Sequence, residues 1–151
     1  MPIFLRLDQI QGDVTAEGYV GQIELLSFSH GLSHPQSTTA DDTGKLSVAE
    51  ITMTKPTDRA SVRLIEAAVL GKVFAKAQIT YASSDDARFV AYLVVDLTNA
   101  RVSSVAISSG GDRPMEQLSL AGEQIRWTFQ PRMAEEVTFG WDLLNLKALP
   151  A

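Results

Sequence analysis

Cysteine is absent from the 151 residues, which removes disulfides, thiolate metal sites and cysteine nucleophiles together. Histidine is nearly absent. His30 and His34 are the only two, so the usual neutral-pH acid–base and zinc-binding side chain is confined to one short stretch. No run approaches the roughly 18 apolar residues of a membrane-spanning helix. The opening "MPIFLRLDQIQGD" has an apolar patch broken by Arg6 and Asp8, too short and interrupted for a signal peptide. The expectation is a chain made in the cytoplasm, without membrane insertion, that would leave the cell without a cleaved signal. Positive charge is scarce as well. Thirteen Lys and Arg against eighteen Asp and Glu give a formal net charge of −5, and no basic patch interleaves with aromatics, which argues against a nucleic-acid partner.

What is present is alternation and β-branched sequence. "IFLRL" (3–7) and "YVGQIELLSFS" (19–29) read as strands around a turn at Gly12-Asp13, and "LSVAEITMTK" (46–55) as a strand with a phase shift near Ala49. Further strands are expected at 72–82, 88–97 and 102–108, the last two joined by "TNAR" as a tight hairpin. Residues 117–130 hold one bent strand or two pieces around Gly122, and 136–146 closes the chain. About eight strands, one helix and no βαβ rhythm point to a mainly β fold in one domain over 1–151, an antiparallel barrel or sandwich.

Two stretches need a partner or a purpose. Within 88–97, Phe89, Ala91, Leu93, Val95 and Leu97 share one face and Val90, Tyr92 and Val94 the other, so both are apolar where one solvated face is the norm. Either the helix lies on Val90, Tyr92 and Val94 or a neighbouring subunit does. The segment from Gly31 to Lys45 lacks apolar periodicity and is long for a passive loop. Asp41, Asp42 and Lys45 within it offer both charges to an outside contact.

"TMTKPTDRASVRLIEAAVLGK" (52–72) gathers lysine, aspartate, arginine and serine, as a catalytic cluster or a strand–helix joint would. Val62, Ile65 and Val69, widened by Leu64 and Ala68, have helical spacing. Ser61 is placed as N-cap, Gly71 as the left-handed C-terminal residue and Pro56 as the end of the preceding strand. Each polar residue then has a structural task, and the joint is the preferred reading.

At this joint the chain resembles the haemolysin-coregulated protein family, the tube protein of bacterial type VI secretion. "MTKPTDRASVRLIEAAVLGK", "IFLRLDQIQGD…GQIELLSFSHG", "VSSVAISSGGDRPMEQLSL" and "FGWDLLNLK" are similar to successive pieces of that family in the right order. The resemblance implies an antiparallel β-barrel with one short flanking helix, in a six-membered ring that stacks into a hollow, secreted tube. It also implies spike, sheath and small effector proteins as partners, effectors carried in the lumen, and no cofactor. On this reading Val90, Tyr92 and Val94 are ring-interface candidates, and Asp41, Asp42 and Lys45 reach the next ring. Leu26, Phe28 and His30 share one parity and Ser27 and Ser29 the other; with the bulky set inward, Ser27 and Ser29 face the lumen.

Other chemistry has thinner support. His30 and His34 lack a third ligand at motif spacing, and Gly31 and Pro35 argue against a helix between them. "DDTGKL" echoes a phosphate-binding loop without the Ser/Thr that would hold magnesium, and no G-x-S-x-G elbow exists. The alternatives are a small hydrolase or ligand-binding barrel using His30 and His34, or a phage tail-tube protein.

Overall fold

Alternation in β1 (Ile3–Leu7) sets the barrel: Ile3, Leu5 and Leu7 turn into the core while Arg6 turns out. The computed structural model describes residues 1–34, 46–85, 88–130 and 135–150. After β1 come β2 (Ile23–Leu25), β3 (Ser27–Ser29), β4 (Leu32–Ser33), β5 (Ser47–Val48) and β6 (Ile51–Pro56). The helix α1 (Ser61–Leu70) leads to β7 (Val73–Asp85) and β8 (Arg88–Ser108). The chain ends with β9 (Met115–Ala121), β10 (Gln124–Phe129), β11 (Val137–Asp142) and β12 (Lys147–Ala148).

Every strand pair is antiparallel. From one edge of β8 the order runs β7, β1, β2; from its other edge it runs β9, β6, β3. Only Leu26 separates β2 from β3, and its N–H donates to the Thr54 carbonyl at 2.8 Å. The sheet therefore closes on itself at this break, which removes the open edges of a flat sheet. On the β9 edge, β10, β11 and β12 extend the sheet beyond the barrel, with Gly122 and Glu123 dividing β9 from β10.

Two expectations about β8 fail. "TNAR" is no hairpin: β8 runs unbroken through it. A two-residue reversal needs positive φ at its central residues; Asn99 has it (52°), but Ala100 is fully buried in the core. Asn99 instead kinks the strand, donating to Glu123 at 2.8 Å where β8 changes partner from β10 to β9. The second failure concerns parity. Leu93 pairs Tyr81 and Ala91 pairs Ala82, leaving Tyr92 as an extra, bulged residue. A bulge inverts the alternation beyond it, so Val90, Tyr92 and Val94 do not share a face. Val94 lies with Thr80 and Thr128, where the loop carrying Tyr19 faces it. Nearby, Tyr19 stacks on Phe4 at 4.4 Å. Val90 and Tyr92 lie on the opposite side.

The helix also differs from its expected form. Ser61 is not the N-cap: Ala60 precedes the helix without a side-chain cap bond. Asp58 does the capping, its Oδ1 accepting the Ala60 N–H at 3.0 Å and its carbonyl accepting the Ser61 N–H at 3.1 Å. The buried face is Ser61, Leu64 and Ala67, whereas Val62 and Val69 are 70% and 77% exposed. Apolar residues lie at nearly every angle of this short helix, so spacing alone left its rotation open; the buried anchoring of Ser61 fixes it. At the other end Gly71 takes φ 64°, with open space where a side chain would go. Gly71→Val is expected to cost about 1–2 kcal/mol through left-handed backbone strain alone. A chemical unfolding midpoint equal to the parent's would contradict this.

Candidate functional site

The lysine of the joint is fully buried. Lys55 Nζ donates to Asp58 Oδ1 at 2.9 Å, Glu116 Oε1 at 3.1 Å, Ser61 Oγ at 3.1 Å and the Pro56 carbonyl at 2.9 Å. Ser61 Oγ accepts the Asp58 N–H at 2.9 Å and donates to Glu116 Oε2. The Lys55, Asp58 and Glu116 side chains are 0%, 4% and 1% exposed, so no substrate reaches them. The cluster ties β6, the cap of α1 and β9 together. It is a joint. Sequence reading missed Glu116, which lies 61 residues from Lys55 and has no local signal.

Burial pushes the Glu116 carboxyl upward, but the hydrogen bonds from Ser61 and Lys55 and the lysine's charge outweigh it and hold the group below its ordinary 4.5. A depressed carboxyl contributes stability that is intact above the unfolded value and lost as pH falls through the folded one. Stability is therefore expected to hold above pH 4.5 and to decline below it. Glu116→Gln should flatten that decline in unfolding curves collected from pH 7 to about pH 3. An equally steep acid limb in the variant would place its origin elsewhere.

A second feature is a wall of small polar side chains on the barrel exterior. Ser29 pairs Thr52, Thr52 pairs Ser119, and Ser119 pairs Ser104. In the next row Ser27 pairs Thr54, which pairs Gln117. Ser27 Oγ lies 2.6 Å from Thr54 Oγ1, and Thr52 Oγ1 lies 3.4 Å from Ser119 Oγ. None of these side chains is charged. Between the rows Phe28, Met53 and Leu118 point into the core. Leu26 departs from the expected inward set at 53% exposure, because the strand breaks there. Ser27 and Ser29 are exposed.

The third feature is aromatic. Beyond the barrel, Val95, Trp127 and Phe139 form one cross-strand row, and Leu93, Phe129 and Val137 the next, on a single face of β8, β10 and β11. Rings follow one another: Tyr92 to Phe129 at 5.0 Å, Trp127 to Phe139 at 6.2 Å, Phe139 to Trp141 at 6.4 Å. Towards the barrel Ile125 is buried; at the far end Phe139 is 47% and Val137 65% exposed. The alternation of Val137, Phe139 and Trp141 was the available signal. Tyr92 belongs to this face through its bulge, whereas Val94 does not. On the opposite face Gly140 admits Leu149: an added Cβ would sit 2.8 Å from Leu149 Cδ1. The next turn is held by Asp142, which accepts the N–H groups of Leu144 and Asn145 at 2.9 Å each.

The histidines are not brought together as a centre. His30 is half-buried, its ring 5.9 Å from Trp127, and burial lowers its pKa against a raising contact with the Ala49 backbone. His34 is exposed. Among the described residues no group of three or more His, Cys, Asp or Glu is placed to hold a metal ion. Leu32–Ser33 and Ser47–Val48 pair as a short ribbon at the base of the long segment, while Asp41, Asp42 and Lys45 lie outside the described residues.

The family model described as "Type VI secretion system effector, Hcp" matches residues 4–129. Protein hcp1 of Pseudomonas aeruginosa is 27% identical over 152 residues, covering 93% of this chain and 94% of that protein. A solved structure described as a type six secretion system protein has a TM-score of 0.87 at 27% identity, over 98% of this chain and 99% of that one. Hcp1 from Salmonella typhimurium follows at a TM-score of 0.84 and 26% identity, over 98% of each chain.

Proposed function

This chain belongs to the Hcp family of type VI secretion proteins, and from that premise we propose that six copies close into a ring whose hole is lined by the hydroxyl wall. The family consists of type VI tube and effector proteins, so the work is structural. Rings stack into a tube, the tube is secreted, and small effector proteins ride in its lumen; a spike protein caps it and a sheath surrounds it. No catalytic step is assigned to the chain.

The observation that carries the reading is the outer end of the aromatic face of β10 and β11, where Phe129, Val137 and Phe139 stand exposed among the described residues. A soluble chain rarely leaves such a face to water unless a partner covers it. A rotation that closes repeats one such contact around the ring and leaves no subunit unsatisfied. Tyr92 and Val90 stay with this interface; Val94 leaves it because the chain's own Tyr19 loop faces it. The wall around Ser27 and Ser29 suits a lumen: its rows are hydroxyls and an amide that water wets, with the Glu50 carboxylate at one end, accepting from Ser103, and Leu26 exposed at its edge.

Electron microscopy of the purified protein tests this, with rings around a central hole as the expected image and dispersed small particles as the contrary one. Ser29→Trp should leave those rings intact, since the side chain points away from the core, and should weaken co-purification of cargo. Broken rings with Ser29→Trp would place this wall in the subunit contact instead.

A further inference from the structure

The short ribbon of β4 and β5 has little of its own to hold it. Among the described residues its strands pair only with each other, as Leu32 with Val48 and Ser33 with Ser47. At its foot the Ala49 N–H donates to the Gly31 carbonyl at 2.8 Å. So small a two-stranded piece is not stable by itself. Leu32, Ser33 and Ser47 are exposed, which leaves Val48 and His30 to seat the ribbon on the body. Both line a cavity of about 130 Å³ with Leu97, Leu120, Ile125 and Leu143, and the His30 ring lies over Trp127 at 5.9 Å.

An imidazole suits this seat only while it is neutral. Both ring nitrogens are closed to solvent and neither makes a hydrogen bond. A proton would add a charge and a second N–H donor, and a buried charge without an acceptor is strongly disfavoured. The indole face attracts a cation, yet supplies no lone pair. No neighbouring charge stands ready to compensate. Glu50, which lines the cavity, accepts from Ser103 at 2.7 Å. Glu123 accepts from Asn99 at 2.8 Å, and Asp142 from the Leu144 and Asn145 N–H groups. Arg126 donates to the Pro150 carbonyl, and Arg101, paired with Ala121, offers only like charge.

We propose that His30 is an acid-released latch: its neutral ring pins the ribbon to the body over Trp127, and a proton taken up when the ribbon lifts holds it lifted. Burial lowers the His30 pKa from its ordinary 6.5, against the Ala49 backbone, which raises it. A group lowered in the closed form favours closure above its ordinary value, and that closure is lost as pH falls below 6.5. This window lies above the 4.5 below which Glu116 acts. Every contact involved lies within one chain, so the latch does not depend on ring closure.

Amide exchange on the intact protein, corrected for intrinsic rates and followed from about pH 7.5 to about pH 5.5, tests it. Protection of the Ala49 amide should fall below pH 6.5 by up to about tenfold per pH unit, the slope of one proton, while amides inside β7 stay unchanged. His30→Phe keeps an aromatic ring on Trp127 and takes no proton, so its protection should be flat over that range. Glu50→Gln and His34→Gln should keep the parent's slope. In His34→Gln the only imidazole left is His30, and its NMR titration, which needs no change at the latch itself, should give a midpoint below 6.5. Flat protection in the parent overturns the proposal. So does a slope that survives in His30→Phe, or a His30 midpoint at or above 6.5.

Discussion

Replacing Lys55 with methionine is expected to remove about 3–5 kcal/mol of stability, a large share of the roughly 5–15 kcal/mol that holds a domain of this size. Methionine fills a similar volume, so little of the loss is packing. The loss arises because Asp58 and Glu116, 4% and 1% exposed, would face each other without the cation between them. Asp58 keeps the Ala60 N–H and is partly satisfied; Glu116 keeps the Ser61 hydroxyl but remains a buried charge. Adding Glu116→Gln to Lys55→Met should therefore restore part of the loss, a coupling that a double-mutant cycle isolates. Urea unfolding of the four proteins in that cycle is the measurement. A Lys55→Met variant within about 0.5 kcal/mol of the parent, the range of an ordinary surface change, would show that the cluster does not hold α1 to β9.

Phe139→Asp should dissolve the assembly and leave the subunit folded. Phe139 is 47% exposed at the open end of the aromatic face, so its removal costs the isolated subunit little. A large aromatic that becomes buried in an interface commonly contributes about 2 kcal/mol or more, and a buried, unpaired aspartate would add a penalty. The loss recurs at each contact of a closed ring, so the change should be from ring to monomer. Sedimentation should report a single small species, and circular dichroism the parent's β spectrum. Rings that persist with Phe139→Asp would move the interface elsewhere. An unfolded variant would mean that the ring supports the subunit's own core.

The residues that were legible in the sequence are those whose physics is local. The strand at Ile3–Leu7, the strand end at Pro56 and the left-handed Gly71 follow from alternation, a missing donor and a missing Cβ. What was hidden depends on distant partners. Ser61 reads as a cap until Glu116 draws its hydroxyl away. The parity of Val90, Tyr92 and Val94 reads correctly only once the bulge opposite Tyr81 and Ala82 is known, because one extra residue inverts every side chain beyond it. Asn99 signals a turn by type, yet the burial of Ala100 keeps β8 running. Of the surfaces, the parity of Ser27 and Ser29 could be read off the chain. The aromatic face needed the register of three strands.

The most direct measurement of the central claim is the mass of the purified protein in solution by light scattering across a range of concentrations. Closure of six 16.4 kDa chains into a ring predicts a species of about 100 kDa that persists on dilution. A clean 16.4 kDa monomer at high protein concentration would contradict the ring and leave the aromatic face of β10 and β11 without its partner.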